Sequence, residues 1–287
     1  MSGLRMAAVA APFGRDLEAD FHRIADLVGE ARQRDVRLLA LPEACLGGYL
    51  TSLDAPRGDE ADGELGGPPP LRLDGPEIKR LAAIAGDIVL TAGYCELADG
   101  ERAGERLYNS VVCVTGDGVL GNHRKVHQPL GEGDSYDRGG EFLPFDTPVG
   151  RLGMMICYDK AFPESARALA LAGAEIVTCV SAWPTSQTNG APDLADDRWT
   201  LRFNLFDQVR ALENQIVWLS ANQCGTFGSL RFVASAKVVG PGGEVLATTG
   251  TGAGMAVAEL DVAAELAAAR RSMAHLSNRR PETYSLA

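Results

Sequence analysis

The segment from Arg151 to Ser165 constrains the fold more than any other part of the sequence. Apolar residues from Met154 to Ile156 stop abruptly at Cys157, and polar residues follow. Pro163 then stands where a helix begins, because proline is tolerated in the first helical turn. The pattern predicts a buried strand that ends at Cys157 and a turn that leads into a helix. Such a turn would hold a thiol at the edge of a sheet, open to a cleft.

Cys157 has a second interpretation, since free cysteine is among the residue types most often buried for structural reasons. The other cysteines are widely spaced, and most lie in apolar surroundings: Cys45, Cys95, Cys113, Cys179 and Cys224. The sequence holds no Cys-x-x-Cys pair, so it indicates neither a zinc site nor a redox dithiol. Residues 1–12 also lack the apolar core and charged flank of a signal peptide. We therefore expect reduced thiols and a cytoplasmic protein.

The charge balance excludes one class of partner. The 287 residues include 27 basic and 38 acidic side chains, which give a net charge of −11. Nucleic acids and anionic membrane surfaces bind clustered lysines and arginines, so we expect neither as a partner. No apolar run approaches the roughly 18 residues that would indicate a membrane span. The hydrophobic content of 46% supports a sizeable buried core.

Strand and helix patterns alternate in the first half of the chain, and hairpin-linked strands dominate the second half. The predicted strands are 4–12, 36–41, 88–95, 109–115, 119–126, two within 145–157, 175–181, 216–222, 231–239, 244–249 and 255–260. The predicted helices are 16–34, 76–85, 163–172, 196–214 and one from about 262. Polar loops are predicted at 45–73, 98–106 and 128–141, the first too polar for the core. We expect one α/β domain over residues 1–287, with a large mixed sheet or two stacked sheets and helices outside.

Three predicted strands end at residues with reactive side chains. Glu43 follows the apolar run 38–42, Lys125 closes a second strand, and Cys157 ends a third. Ligands bind beyond the carboxyl ends of strands in open α/β sheets, which makes a shared pocket a hypothesis to test. A base and a cation near a thiol would generate and stabilise the reactive thiolate. Periodicity shows only that each residue ends a strand, and surface charges are the alternative for Glu43 and Lys125.

Two other patterns carry less weight. Gly116-Asp-Gly118-Val-Leu-Gly121 matches a phosphate-binding Gly-x-Gly-x-x-Gly, but a strand follows it instead of the helix that this mechanism needs. We interpret its glycines as a hairpin turn. His123 and His127 would share one face of a strand or helix, yet no third ligand stands near them, so no metal site is indicated.

Several motifs, in order and at compatible spacings, resemble those of the nitrilase, or carbon–nitrogen hydrolase, superfamily in its amidase-like branch. They span nearly the full chain: Leu41-Pro-Glu43 with Gly48-Tyr49, Arg124-Lys125-Val-His127, Gly153-Met-Met-Ile-Cys157-Tyr-Asp159 with Phe162-Pro-Glu164, Arg210-Ala-Leu-Glu-Asn214, Ser220-Ala-Asn222, Pro241-Gly-Gly243 and Arg279-Arg-Pro281. The resemblance overturns the purely structural interpretation of Cys157. It implies a four-layer αββα sandwich, built from two mixed β-sheets flanked by helices.

The resemblance also implies a role for each strand-end residue. Glu43 would act as general base, and Cys157 would attack the amide or nitrile carbon to form a thioester. Lys125 and the backbone N–H of Tyr158 would stabilise the oxyanion of the tetrahedral intermediate. The family needs neither a metal nor an organic cofactor.

Many family members add a second glutamate in the loop after the lysine. Glu132 is the candidate here and Glu141 the reserve, and a solvated loop carboxylate is the alternative for Glu132. Tyr49 and Trp183 are expected to line the substrate pocket, with core packing as the alternative for Trp183. The polar segment 185–197 is expected to lie near the entrance.

The residues after the nucleophile bear on the substrate. Cys157-Tyr-Asp159 resembles amidase and carbamoyl-amide branches more than true nitrilases, which usually carry Trp-Glu after the cysteine. The prediction is therefore hydrolysis of a small linear amide, with N-carbamoyl-amines and nitriles as alternative substrates. A catalytically silent homologue that binds a metabolite or a partner is the non-enzyme alternative, and the intact Glu43, Lys125 and Cys157 argue against it.

The family resemblance finally implies self-association as a homodimer or a higher homo-oligomer. The helices that follow Cys157 and precede Asn214 would lie at the interface. The C-terminal tail, from about 276 to 287, would reach a partner subunit.

Overall fold

Strands make up most of the regular structure in the computed structural model, which describes residues 3–53, 65–99 and 105–284. The strands are β1 Leu4–Ala11, β2 Leu38–Ala40, β3 Val89–Asp99, β4 Glu105–Thr115, β5 Gly118–Arg124, β6 Phe145–Thr147, β7 Gly150–Ile156, β8 Ile176–Ser181, β9 Val217–Phe227, β10 Leu230–Val233, β11 Lys237–Val239, β12 Val245–Thr248 and β13 Gly254–Leu260. The α-helices are α1 Leu17–Gln33, α2 Pro76–Ala85, α3 Pro163–Leu171, α4 Arg198–Asn214 and α5 Val262–Ser272.

Capping residues set the ends of the helices close to where the sequence predicts them. The Asp16 carboxylate accepts the first free N–H groups of α1, and Asp197 caps α4 in the same way. Pro163 occupies the first turn of α3, where its missing N–H is not needed. After α3 the chain passes through Gly173 at φ +92°, a conformation that favours glycine.

The strands form two mixed sheets. In the first, β1, β2 and β3 are parallel, β4 and β5 continue antiparallel, and β13 pairs antiparallel with the other side of β1. In the second, β7, β8 and β9 are parallel, and β6, β11 and β12 pair antiparallel beside them. A short parallel pairing joins the sheets where Ala10 and Ala11 of β1 meet Asn222 and Gln223 of β9.

Three apolar clusters show how the layers stack. The central cluster lies between the sheets and contains Met6 and Val111 from the first sheet with Met154 and Leu219 from the second. A second cluster packs α1 and α2 on the outer face of the first sheet, and a third packs α3 and α4 on the second. The order is helices, sheet, sheet, helices, which confirms the αββα sandwich.

The structure corrects three expectations about segments. The start of the predicted loop 45–73 is not too polar for the core, because its apolar side chains are buried: Cys45, Leu46, Tyr49, Leu50 and Leu53. Leu46 forms a bridge with Tyr94 of β3, which draws this segment against the first sheet. Residues 54–64 lie outside the described part of the chain.

The predicted strand 231–239 is two strands, β10 and β11. Ala234 and Ser235 adopt φ values of +54° and +59°, which turn the chain between them. The predicted loop 98–106 also begins and ends as strand, since β3 runs to Asp99 and β4 starts at Glu105. Residues 100–104 between these strands are outside the described residues.

Within the ranges that the structure describes, no helix is both long enough and apolar enough to cross a membrane.

Candidate active site

Three strand ends place reactive side chains at one end of the sandwich. Glu43 follows β2, Lys125 follows β5 and Cys157 follows β7. Glu43 and Lys125 are fully buried, and Cys157 is 4% exposed. Both Glu43 and Lys125 act electrostatically on the Cys157 thiol, so the predicted carboxylate, amine and thiol lie together.

The Glu43 carboxylate is held by donors from three other elements. One oxygen, Oε1, accepts from Lys125 Nζ at 2.8 Å and from Asn109 Nδ2 at 2.6 Å. The other, Oε2, accepts from the backbone N–H of Ala182, just beyond β8. The backbone of Glu43 approaches β3 closely at Gly93, where an added Cβ would lie 2.6 Å from Glu43 Cα. A glycine at this position is therefore required for Glu43 to sit where it does.

Glu132 is the second carboxylate of the site. It lies in a short 3-10 helix, Leu130–Asp134, and is fully buried. Its Oε1 accepts from Lys125 Nζ at 2.8 Å, Asn109 Nδ2 at 2.7 Å and Tyr49 Oη at 2.8 Å. Glu141, the reserve candidate, is exposed and lines a different cavity.

Two carboxylates thus share one lysine and one asparagine. Burial alone would lower the pKa of Lys125, but Glu132 and Glu43 outweigh it and raise that pKa above its usual range. Lys125 is therefore a permanent cation in the site. Burial raises the pKa of Glu132, against the opposing effect of Lys125. Burial and the Glu132 carboxylate also raise the pKa of Tyr49 well above its usual range, so its hydroxyl donates as a neutral phenol.

Cys157 occupies a strained backbone position. Its φ is +49°, in the left-handed region that residues with a side chain rarely adopt. It begins a 3-10 turn, Cys157–Ala161, that connects β7 to α3. Strain of this kind persists only where surrounding contacts enforce it.

Asp159 supplies those contacts. Its buried carboxylate accepts from Ile156 N at 3.1 Å, from His127 N at 2.9 Å and from His127 Nδ1 at 2.9 Å, and His123 Nε2 lies 3.4 Å away. Burial opposes ionisation of Asp159, but these histidine contacts prevail and lower its pKa to about 2. The two histidines therefore fasten the Lys125 segment to the nucleophile turn.

The surroundings of Cys157 favour the neutral thiol. Burial, and then the Glu43 carboxylate, raise the pKa of Cys157 well above its usual range, while Lys125 and Lys160 act in the opposite direction. Ionisation of Cys157 therefore requires a base that takes the proton at the moment of attack. Glu43 is a carboxylate that acts directly on the electrostatics of this thiol.

A cavity of about 380 Å³ opens beside the thiol. Its walls are mainly apolar and include Cys157, Tyr158, Trp183, Phe206 and, as a cationic residue, Arg202. Trp183 thus lies at this cavity, as its position after β8 predicts. Tyr49 is not among the lining residues, and its hydroxyl instead contacts Glu132. A larger cavity of about 1020 Å³ lies elsewhere, beside Arg5 and Val36, away from the four catalytic candidates.

Sequence reasoning missed two parts of the site. Asn109, which bridges both glutamates, stands inside a strand pattern with no motif to single it out. A buried ionic group at Lys160, Asp207 and Lys237 was also missed. The one sequence feature that could have indicated this group is Lys160 itself. It is a charged residue directly after Cys157-Tyr-Asp159, just before the chain enters the core.

The arrangement defines a class of protein: an αββα sandwich whose strand ends set a cysteine beside a buried carboxylate, amine and second carboxylate. The chain belongs to the carbon–nitrogen hydrolase family, whose model matches residues 5–270.

Known proteins of related sequence and structure agree with that assignment. The human deaminated glutathione amidase is 31% identical over 94% of this chain and 80% of its own length. A carbon–nitrogen hydrolase from Helicobacter pylori superposes with a TM-score of 0.82 at 26% identity, covering 98% of this chain and 96% of its own. A Glu-to-Gln mutant of an amidase from Nesterenkonia superposes with a TM-score of 0.75 at 25% identity, covering 98% and 95%. In that mutant the acetamide moiety of fluoroacetamide is covalently added to the active-site cysteine.

Proposed function

We propose that this protein is a thiol amidase that hydrolyses the C–N bond of a small linear amide through a cysteinyl thioester. The observation that carries the proposal is the strained Cys157 turn beside the buried Glu43–Lys125–Glu132 set. A buried neutral thiol next to a carboxylate base and a fixed cation has the parts that nucleophilic acyl transfer needs. The covalently modified cysteine of the related Nesterenkonia amidase supports the same assignment.

In the first half-reaction, Cys157 Sγ bonds to the amide carbon as Glu43 takes the thiol proton. The carbonyl electron pair moves to oxygen, and Lys125 Nζ with the Tyr158 backbone N–H stabilises the oxyanion. When the oxyanion collapses, the C–N bond breaks and Glu43 returns the proton to the leaving nitrogen. Ammonia or an amine departs, and the acyl group remains on Cys157 as a thioester.

In the second half-reaction, water replaces the amine. Glu43 takes a proton from water as the water oxygen attacks the thioester carbon. Collapse of the second tetrahedral intermediate breaks the C–S bond and releases a carboxylic acid, and Glu43 passes its proton to the departing sulfur to restore the Cys157 thiol. Glu132 keeps Lys125 in place through both halves and does not itself exchange a proton. Each step balances with residues of this chain and water, so no metal or organic cofactor is required.

The cavity beside Cys157 bears on the acyl group. Its apolar walls, with Trp183 and Tyr158, suit an acyl chain of moderate size. N-carbamoyl-amines and nitriles are the alternative substrates, since the same thiol attack begins their hydrolysis. We further propose a cytoplasmic protein, because the six cysteines are all free and buried.

The test is a side-by-side panel of carboxamides, ureido compounds and nitriles, each with and without a terminal carboxylate because Arg202 lines the cavity. We expect the wild type to turn over carboxamides best. Intact-mass spectrometry after rapid quenching of a pooled amide reaction should show an acyl adduct on Cys157, and its mass identifies the acyl group.

The matched variant is Cys157→Ala. It should keep the fold, judged by circular dichroism, and lose both turnover and the adduct, a fall of at least about 10⁴-fold. Unchanged hydrolysis by C157A would contradict the proposed mechanism. A wild type inert toward the whole panel, but with the fold intact, would favour the catalytically silent alternative.

A further inference from the structure

A second group of buried charges lies behind the nucleophile turn, and the mechanism above does not use it. Lys160 comes from the turn, Asp207 from the inner face of α4 and Lys237 from β11. Lys160 Nζ donates to Asp207 Oδ1 at 2.8 Å, and Lys237 Nζ donates to Asp207 Oδ2 at 2.7 Å. Trp218 Nε1 adds a third donor to Oδ1 at 3.0 Å. All three charged side chains are at most 3% exposed.

The group contains two cations and one anion. Burying an unbalanced charge is unfavourable, so an excess cation in a core needs an explanation. The other polar side chains that face the lysines are uncharged, namely Ser220, which Lys160 contacts, and the Cys179 thiol. Burial lowers the pKa of Lys237 to about 8, with Asp207 opposing it. With both lysines protonated, the group therefore carries a net charge of +1.

The excess charge lies next to the catalytic centre. Lys160 is three residues beyond Cys157, and its Nζ is 3.1 Å from the centroid of the Phe203 ring and 5.3 Å from that of Trp183. Trp183 also lines the cavity beside Cys157. Lys160 also lowers the pKa of Cys157, against burial and the neighbouring carboxylates Glu43 and Glu132. Its charge thus acts at the point where the thiol must become negative.

The same segment is tied to α4 through its backbone. Arg210 Nε donates to the carbonyl of Lys160 at 2.9 Å, and Arg210 Nη2 donates to that of Ala161 at 3.2 Å. Asp207 and Arg210 stand three residues apart on one face of α4. One helix face therefore fixes both the side chain and the carbonyl of Lys160 within the nucleophile turn.

We propose that Lys160 is a positioning residue whose buried ammonium, oriented by Asp207, fixes the Cys157 turn and favours the thiolate over the thiol. Lys237 donates to the second oxygen of Asp207 and so holds the carboxylate in the orientation that binds Lys160. The proposal rests on the proposed function only in that Cys157 is the nucleophile. Its readout is the ionisation of Cys157 itself, which requires no substrate turnover.

The experiment compares Lys160→Met with Lys237→Met. Each variant replaces a lysine with an uncharged side chain of similar length and so removes one positive charge. Each also leaves one lysine paired with Asp207, so neither variant leaves the buried carboxylate without a cation. The pH dependence of Cys157 alkylation by iodoacetamide is followed by peptide mass spectrometry, which separates Cys157 from the other cysteines. Glu43, Glu132, Lys125 and Lys160 act electrostatically on the Cys157 thiol, and Tyr49 also interacts with it. Apart from the lysine removed, both variants keep all of these groups.

We expect K160M to slow Cys157 alkylation about tenfold at pH 7.5, which corresponds to a midpoint roughly one pH unit higher. K237M should change the rate less than threefold, because more contacts separate the charge of Lys237 from Cys157 than separate that of Lys160. Lys160→Arg keeps the positive charge and should restore most of the wild-type rate. If K160M does not fold, Lys160→Gln, whose amide can still donate to Asp207, takes its place in the comparison.

Three results would overturn the proposal. The first is a folded K160M whose Cys157 profile equals that of the wild type. The second is an equal shift in K160M and K237M, which would indicate a general loss of packing. The third is a K160R profile that matches K160M. Failure of the proposed function looks different, because a wild type inert toward amides can still show the K160M shift.

Discussion

Asn109 shows how much a single amide contributes to this site. Its Nδ2 donates to Glu43 at 2.6 Å and to Glu132 at 2.7 Å, so it shares with Lys125 the task of holding two carboxylates side by side. Hydrogen bonds to charged groups stabilise by about 1.5–3 kcal/mol, and the loss of one leaves a buried carboxylate under-satisfied. The asparagine is therefore part of the electrostatic balance of the site.

We expect Asn109→Ala to lower kcat/KM roughly thirtyfold, the kinetic equivalent of about 2 kcal/mol. The measurement is steady-state hydrolysis of the best amide in the panel. Asn122→Ala is the matched control, because Asn122 donates to Glu96, outside the catalytic set. Equal losses in N109A and N122A would indicate that the effect is on folding.

At this scale the sequence predicted the three strand-end side chains that the structure brings together, but not the residues around them. Glu43, Lys125 and Cys157 each end a strand, and strand ends are visible as the point where an apolar run stops. Asn109 and Asp207 lie inside elements, and they join the site only because sheets and helices far apart in sequence stack there. No local pattern encodes such a contact.

The turn after β7 is the element on which the proposed catalysis depends, and Asp159 stabilises it. The pKa of Asp159 falls from 3.8 to about 2 in the folded protein, so the unfolded chain binds the proton more tightly. A lowered pKa of this size stabilises the fold by about 2 kcal/mol at any pH above about 4. That stabilisation is lost as the pH falls from about 4 to 2.

Asp159→Asn should therefore lower the free energy of unfolding by about 3 kcal/mol at pH 7, since the amide also replaces an acceptor with a donor. Urea denaturation at pH 7 and at about pH 2.5 measures the difference. The gap between wild type and D159N should narrow by about 2 kcal/mol in acid. Asp117→Asn, at the exposed β4–β5 turn, serves as the control and should show no gap at either pH. A pH-independent gap for D159N would contradict the assigned ionisation.

The predicted element boundaries agree with the structure where capping residues set them. They are wrong where an unusual backbone conformation sets them. Asp16 and Pro163 mark helix starts in the sequence and in the structure. The break between β10 and β11 was not predictable, because Ala234 and Ser235 carry no signal for a positive φ. The buried segment 44–50 was also missed, since its burial depends on the bridge to β3 and not on its own periodicity.

At the scale of the whole molecule, alternating patterns gave an α/β domain with helices outside, and the resemblance supplied the two-sheet, four-layer order. Periodicity alone left one sheet and two as alternatives. The distinction depends on which faces meet, and both sheets present apolar residues on both faces. The central cluster between Met6 and Met154 decides it in the structure.

The outer face of α4 leads to the final prediction, a homodimer. Leu201, Leu205, Val209 and Leu212 repeat at helical spacing on that face and are 58%, 50%, 41% and 43% exposed. A continuous apolar stripe of this kind is a typical interaction surface, and a second copy of α4 would cover it symmetrically. We propose that two chains pack through α4 with α3 beside it, and that the tail from about 276 reaches the partner subunit.

Leu205→Glu places a charge in the middle of the stripe and should shift the protein to monomers in sedimentation velocity at about 10 µM, because an unpaired charge in an apolar interface is strongly unfavourable. Leu143→Glu is the control, since Leu143 is 62% exposed and lines a separate cavity with Tyr108 and Arg138. It should leave the dimer intact. A monomeric wild type, or dissociation by L143E to the same extent, would contradict the α4 interface. Because the inner face of α4 holds Asp207 and Arg210, dissociation of L205E should also slow Cys157 alkylation, which would link assembly to the nucleophile turn.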